Sequence, residues 1–313
     1  MSKFFQAASF NIKLFQNRYR AHHVMASIKN VNGFAEKKEQ SYFDLMGRQL
    51  PLIGKKGQKN VRSTRLTVIG LGGNGSAFTR FAALVGFRKM KLFDSKKLKL
   101  TNLNRNMFAG VKDLNEYKVI VAKRKLKILF PDMEVDTFPN DVRAPGMWQG
   151  AKECDWLIDS TDDDQTRKFL QEQCSSEEIP LISMASGFTF RDGCLVNAGS
   201  RVNRVQPELG DACLQCQALG EAPMEQTHVS LVIPNVIAAA LAVDTLLREL
   251  TEYPYTAFHI GQTRVQSQVK NNAKLQQTNN FLLFDLVNRR IMSERIIPSP
   301  SCPICGNPCS KLG

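Results

Sequence analysis

The residues best suited to chemistry form a series through the middle of the chain. Leu66 to Gly75 reads LTVIGLGGNG, in which Gly70, Gly72 and Gly75 fit G-x-G-x-x-G and Gly73 is an extra glycine. Glycines in such a turn let backbone N–H groups approach a phosphate, and the helix that follows adds positive potential at its N-terminus. Asp94 comes about 20 residues later, where a carboxylate can take ribose hydroxyls. Arg105, in NLNR, can neutralise phosphate through paired hydrogen bonds. Lys118 can meet the same phosphates as a point charge. Asp162, in IDSTDD, can hold Mg²⁺ against them. Taken singly, the glycine turn also suits plain helix packing, and each charge also suits an exposed surface. The set points further, because all of these positions fall on one rim of one expected sheet.

A second set is Cys213-x-x-Cys216 with Cys302-x-x-Cys305. Two C-x-x-C knuckles supply four thiolates for tetrahedral zinc, and four ligands leave no open position for catalysis. The chain has eight cysteines and no apolar leader, which argues for reduced thiols and metal over a disulfide framework. Cys309 is expected to be a bystander. The four histidines, His22, His23, His228 and His259, do not form a metal-spaced set with acids.

The elements that must position these groups follow from periodicity. Leu66, Val68 and Ile69 read as a buried strand, and Phe78, Phe81, Ala82 and Val85 as the apolar face of a helix. Further strands are expected at Met90–Phe93, Val135–Phe138, Asp155–Ser160 and Pro180–Ser183, the last ending in a loop. Helices are expected at Glu116–Leu129, stopped by Pro131, and at Thr166–Cys174. Alternating strands and helices imply a parallel sheet with helices on both faces. Gly187 to Asn203 alternates as antiparallel strands do. The fold expected is thus α/β, a doubly wound, mostly parallel, Rossmann-like sheet continuing into antiparallel strands, with a structural zinc site. Ser41–Leu52 reads as a short helix carrying Arg48, and Lys55–Arg65 as a basic polar linker. Val229–Val243 reads as a core helix, because Ser230, Pro234 and Asn235 interrupt it, and no membrane span is expected.

The charge of +13 over 313 residues is unevenly placed. Residues 1–65 hold 13 Lys and Arg against three acids, which is +10 of the total. The domain reading is a basic extension over 1–40 and one catalytic domain over 41–313. Such an arm suits an acidic partner, nucleic acid, a membrane surface or plain solvent. Residues 1–35 lack Asp and Glu, as an organelle presequence does and as a short basic extension on a bacterial or phage protein does; the second is favoured by a small margin, with a cytoplasmic location expected and organelle targeting left open.

LTVIGLGGNGS, Asp94, TNLNRN, Lys118 and IDSTDD together resemble the ubiquitin-activating-type adenylyltransferases, which include the enzymes that activate the ubiquitin-like sulfur carriers of molybdopterin and thiamine biosynthesis. The resemblance implies that Gly70, Gly72, Gly73 and Gly75 line ATP phosphates and that Asp94 binds ribose. It implies that Asn102, Arg105 and Lys118 contact phosphates and that Asp162 binds Mg²⁺. Arg48, in GRQL, matches an arginine that reaches into the neighbouring subunit's ATP site, so a homodimer with shared sites is implied. Asn106 departs from the family's usual Gln and is one methylene shorter at the nucleotide. The implied reaction is adenylation of the C-terminal carboxylate, typically of glycine, of a ubiquitin-like or sulfur-carrier protein or a peptide. The paired knuckles recur in that family as its zinc site. Gln217 to Ser301 contains no cysteine, so no obligatory enzyme thioester is expected. Alternative readings are an inactive partner subunit or an NAD-dependent oxidoreductase. The latter accounts for the glycine loop and Asp94 but not for Arg105, Lys118, Asp162 or the knuckles.

Overall fold

The computed structural model describes residues 39–191, 194–217, 229–251, 253 and 279–306. Residues 1–38 of the basic arm, all four histidines, Cys309 and the segment 218–228 lie outside the described residues. The chain divides into two compact units, Met1–Pro51 and Leu52–Gly313. In the first, a helix over residues 39–45 (α1) packs Tyr42, Phe43 and Met46 together. Arg48 follows in a turn and is exposed.

Helix α2 runs over Leu50–Ser63, with non-helical backbone at Gly54. This corrects the reading of Lys55–Arg65 as a linker. Its lysines face solvent, while Ile53, Gly57, Gln58 and Val61 are buried along one stripe. The amide of Gln58 donates to Val85 O at 3.1 Å.

The second unit holds one eight-stranded sheet in the order β3-β2-β1-β4-β5-β6-β7-β8. Its strands are β1 (Arg65–Ile69), β2 (Lys89–Phe93), β3 (Glu134–Phe138), β4 (Trp156–Asp159), β5 (Leu181–Arg191), β6 (Cys194–Val205), β7 (Phe281–Asp285) and β8 (Arg290–Glu294). The first five pair in parallel and the last three join antiparallel. The helices are α3 (Gly73–Val85), α4 (Lys118–Leu129), α5 (Met147–Ala151), α6 (Asp164–Ser176), α7 (Leu214–Gln217) and α8 (Val232–Leu250).

Period-two alternation sends Leu66, Val68, Leu92 and Ile158 to one face, against α3, α4 and α8. Ile69, Phe93, Leu157 and Leu181 go to the other, against α5 and α6. Pro180–Ser183 does not end in a loop: β5 runs on to Arg191, because β6 pairs with it along its whole length. Chain order reverses between β1 and β4, and a crevice opens where their carboxyl ends part. No helix among the described residues is long and apolar enough to cross a membrane.

Candidate active site

The crevice is a cleft of about 810 Å³ at the carboxyl ends of β1, β2 and β4. Its floor is the glycine turn. Gly70 has a φ of 88°, a left-handed conformation that favours glycine. A Cβ on Gly75 would meet Gly70 O at 1.9 Å, so only glycine lets α3 start against the end of β1. Gly72 caps α3 with no side-chain hydrogen bond, which leaves the first-turn N–H groups to whatever occupies the cleft. Gly70, Gly72 and Gly73 line the cleft, whereas Gly75 packs behind it.

One wall is built by the segment after β2. Asp94 Oδ2 accepts from Leu71 N at 2.7 Å and from Lys118 Nζ at 3.2 Å, and Oδ1 accepts from Lys96 N at 2.7 Å. Both side chains of the Asp94–Lys118 pair are less than one tenth exposed. Asn106 donates to Leu71 O at 2.8 Å and accepts from Phe108 N and Ala109 N. Its amide braces the glycine loop. Asn102 closes its own turn by accepting from Lys99 N at 3.0 Å. Arg105 donates to Thr101 O at 2.6 Å, which lays its guanidinium along the loop at the cleft edge.

Asp113 anchors the link from this loop to α4. It accepts from Gly110 N at 2.8 Å and pairs with Arg124 at 2.7 Å. Burial pushes the Asp113 carboxyl upward, but the Gly110 N–H and the Arg124 guanidinium outweigh it and hold the group below its ordinary range. A depressed folded value contributes stability that is present above the unfolded value near 4 and lost as pH falls through the folded one. Asp113→Asn is therefore expected to flatten the fall in urea midpoint between about pH 5 and pH 3. An unchanged acid limb in this variant would show that Asp113 does not carry it.

The opposite wall follows β4, where the run of aspartates divides its roles. Asp159 is fully buried and accepts from Ser183 Oγ at 2.6 Å and Thr161 Oγ1 at 2.7 Å. Arg167 on α6 donates to Thr161 O, with Nε at 3.1 Å, and fixes the loop from the other side. Asp163 caps α6 by accepting from Thr166 N at 2.9 Å. That hydrogen bonding, first of all from the Thr166 hydroxyl, holds its carboxyl below the ordinary range. Asp162 is the most exposed of the aspartates that line the cleft: its side chain is 93% exposed and its ion-pair neighbour is Lys96 Nζ at 3.7 Å. An exposed carboxylate at the edge of this cleft fits Mg²⁺, which binds through one or two carboxylates plus substrate phosphates.

The structure thus brings Gly70, Gly72, Gly73, Asp94, Asn102, Arg105, Asn106, Lys118 and Asp162 to one cleft. Arg48 belongs to the first compact unit. Sequence reasoning missed Asp159 and Arg167, which hold the Asp162 loop. The signal for Asp159 was a lone carboxylate ending a wholly buried strand.

Away from the cleft, the Sγ atoms of Cys213, Cys216, Cys302 and Cys305 lie within 4.8 Å of one another. Cys213–Cys302 measures 3.6 Å and Cys216–Cys305 3.5 Å. Zinc–sulfur bonds of about 2.3 Å in a tetrahedron require edges of about 3.8 Å, so the four thiols fit zinc. Of the other cysteines, burial pushes the Cys154 thiol up to about 11 and raises Cys174 well above its ordinary value. Neither is a thiolate near neutral pH. Cys194, at the start of β6, is exposed.

Comparison with known proteins gives the family and the fold. The model of the ThiF family matches residues 46–304. The sulfur carrier protein adenylyltransferase of Thermus thermophilus is 22% identical over 82% of this chain and 88% of that protein. The SAMP-activating enzyme E1 of Haloferax volcanii is 22% identical over 81% of this chain and 84% of its own length. Among solved structures, E. coli MccB with ATP superposes at a TM-score of 0.61, with 17% identity over 80% of this chain and 69% of that one. At that identity the likeness is one of fold.

Proposed function

This chain belongs to the ThiF family, and from that premise we propose that it adenylates the C-terminal carboxylate of a ubiquitin-like or sulfur-carrier protein, or of a peptide. An ATP-dependent adenylyltransferase is supported by the family and by the names of the relatives. The observation that carries the reading is the meeting of an uncapped glycine-loop helix, the Asp94–Lys118 pair and the exposed Asp162 around one cleft. A dinucleotide oxidoreductase needs only the first and a ribose carboxylate.

In this reading the first-turn N–H groups of α3 receive phosphate oxygens, and Asp94 receives ribose. Lys118 and Arg105 offset the charge that builds on the pyrophosphate. A carboxylate oxygen of the acyl substrate attacks the α-phosphorus; the new P–O bond forms as the bond to the bridging oxygen breaks, and pyrophosphate leaves with that electron pair. Asp162 would hold Mg²⁺, which supplies charge neutralisation on the phosphates when bound. The chain itself need only position and neutralise. No side chain is asked to form a covalent intermediate, in keeping with the raised thiol values at Cys154 and Cys174. The exposed Arg48 is assigned to the neighbouring subunit's cleft in a homodimer.

The test is exchange of labelled pyrophosphate into ATP, screened across small proteins and peptides ending in glycine. Exchange that depends on an added carrier supports the reading. ATP bound without exchange across the screen would favour an inactive partner subunit. A thiol-sensitive adduct lost on Cys194→Ala would replace the direct route with a thioester route.

A further inference from the structure

The cleft changes character along its length. Around the glycine turn it offers backbone N–H groups and cations. Past Asp94, toward β3, its lining takes in Ile69, Phe93 and Val142, all of them buried. Phe93 stacks on Phe138 of the next strand with ring centres 4.3 Å apart, which fixes this apolar floor. Arg143, from the loop after β3, lines the same end.

The Arg143 guanidinium is held by its edges. Nε donates to Asp141 Oδ1 at 3.1 Å and Nη2 to Asp141 Oδ2 at 2.7 Å, a paired contact that sets the plane of the group. Nη1 lies 3.2 Å from Asp163 Oδ2 and donates to Gln165 Oε1 at 3.4 Å. The side chain thus ties the loop after β3 to the wall that follows β4. Two carboxylates already offset its charge, so it is poorly placed to serve a phosphate. It is still 34% exposed, and with its edges taken, its flat faces are what it can offer a ligand. A flat cation beside an apolar floor suits a flat, π-rich group.

Sheet order says which part of a nucleotide reaches it. The N-terminus of α3 follows β1, Asp94 follows β2 and Arg143 follows β3, and these strands are neighbours in the order β3-β2-β1. With phosphates at α3 and ribose at Asp94, the base extends toward β3. We propose that Arg143, held by Asp141 and Asp163, stacks on the nucleobase. The proposal rests on the adenylation reading, which puts ATP in this cleft. Arg143 is then a specificity-determining residue for the base and not for the phosphates.

The probes are ATP and 1-deoxyribose 5-triphosphate, which keeps the sugar hydroxyls and phosphates and lacks the base. Each is titrated with Mg²⁺ against the full chain by calorimetry. The parent is expected to bind ATP more tightly than the abasic compound. Arg143→Ala is expected to cut that ratio about tenfold. Arg143→Lys keeps the charge but not the plane, and should cut it nearly as far. A loss common to both ligands reflects the charge left on Asp141 and Asp163 and cancels in the ratio. Retained binding of the abasic compound shows that a variant is folded; should Arg143→Ala unfold, the lysine variant carries the test. A parent that binds both compounds equally would overturn the proposal, as would a ratio that survives Arg143→Ala or is kept by Arg143→Lys. If the parent binds neither compound, the adenylation reading falls and the proposal with it.

Discussion

Asp162→Asn is expected to lower pyrophosphate exchange by about 100-fold or more while moving the unfolding midpoint by no more than about 2 °C. The two effects separate because the Asp162 side chain is almost fully in solvent, with its ion-pair neighbour Lys96 at 3.7 Å. Its carboxylate holds nothing in place, so the substitution removes charge from the cleft and little else. Neighbouring aspartates give the controls. Asp163→Ala keeps the Asp162 carboxylate but removes the cap of α6, and should lower stability by about 1 kcal/mol with modest effect on exchange. Asp159→Asn strikes a fully buried acceptor of the Ser183 and Thr161 hydroxyls; it should impair both. Parent-like exchange by Asp162→Asn would remove Asp162 from the reaction.

The second large effect is expected at the cysteine cluster. The purified chain should carry one zinc by metal analysis, and the pair Cys213→Ser with Cys302→Ser should carry none. A ligand present at about 1,000 times its dissociation constant adds about 4 kcal/mol, which in a unit of this size corresponds to a fall in midpoint of about 10 °C. Ala212, Cys213 and Cys216 pack with Ile296 and Ile304, so a small apolar cluster would loosen with the metal site. A Cys309→Ser chain should match the parent in zinc content and midpoint. If the double variant kept the parent midpoint, the cluster would be four thiols with no structural metal.

The legible parts of this site were local in sequence. The glycine turn, Asp94 and Lys118 can be read because each is fixed by the strand or helix it adjoins. Choosing Asp162 from IDSTDD was possible by order alone, but only the fold shows Asp159 turned inward and Asp163 spent as a cap. Helix α2 was hidden by Gly54, Gly57 and a run of lysines; its apolar stripe is only Ile53 and Val61, with Gln58 buried between them. Strands β7 and β8 are short and depend on β6 for their place, with the hairpin turned at Arg289 in a left-handed conformation. The contact from Arg143 to Gln165 spans 22 positions and joins the loop after β3 to the start of α6. No periodicity marks it, and a lone Arg in a loop reads as a solvated charge.

If the cleft takes a nucleotide as proposed, the Asp94–Lys118 pair couples its two halves. Asp94 Oδ2 is shared by Leu71 N and Lys118 Nζ, so a ribose hydroxyl arriving at that oxygen competes with the lysine. A lysine loosened there is freed toward phosphate, and a lysine drawn to phosphate leaves the carboxylate more open to ribose. Nucleoside and polyphosphate should each bind better when the other is present, and their separate affinities should not sum to that of ATP. The cleft would then discriminate by cooperativity within a single ligand, favouring the intact triphosphate over adenosine or pyrophosphate alone.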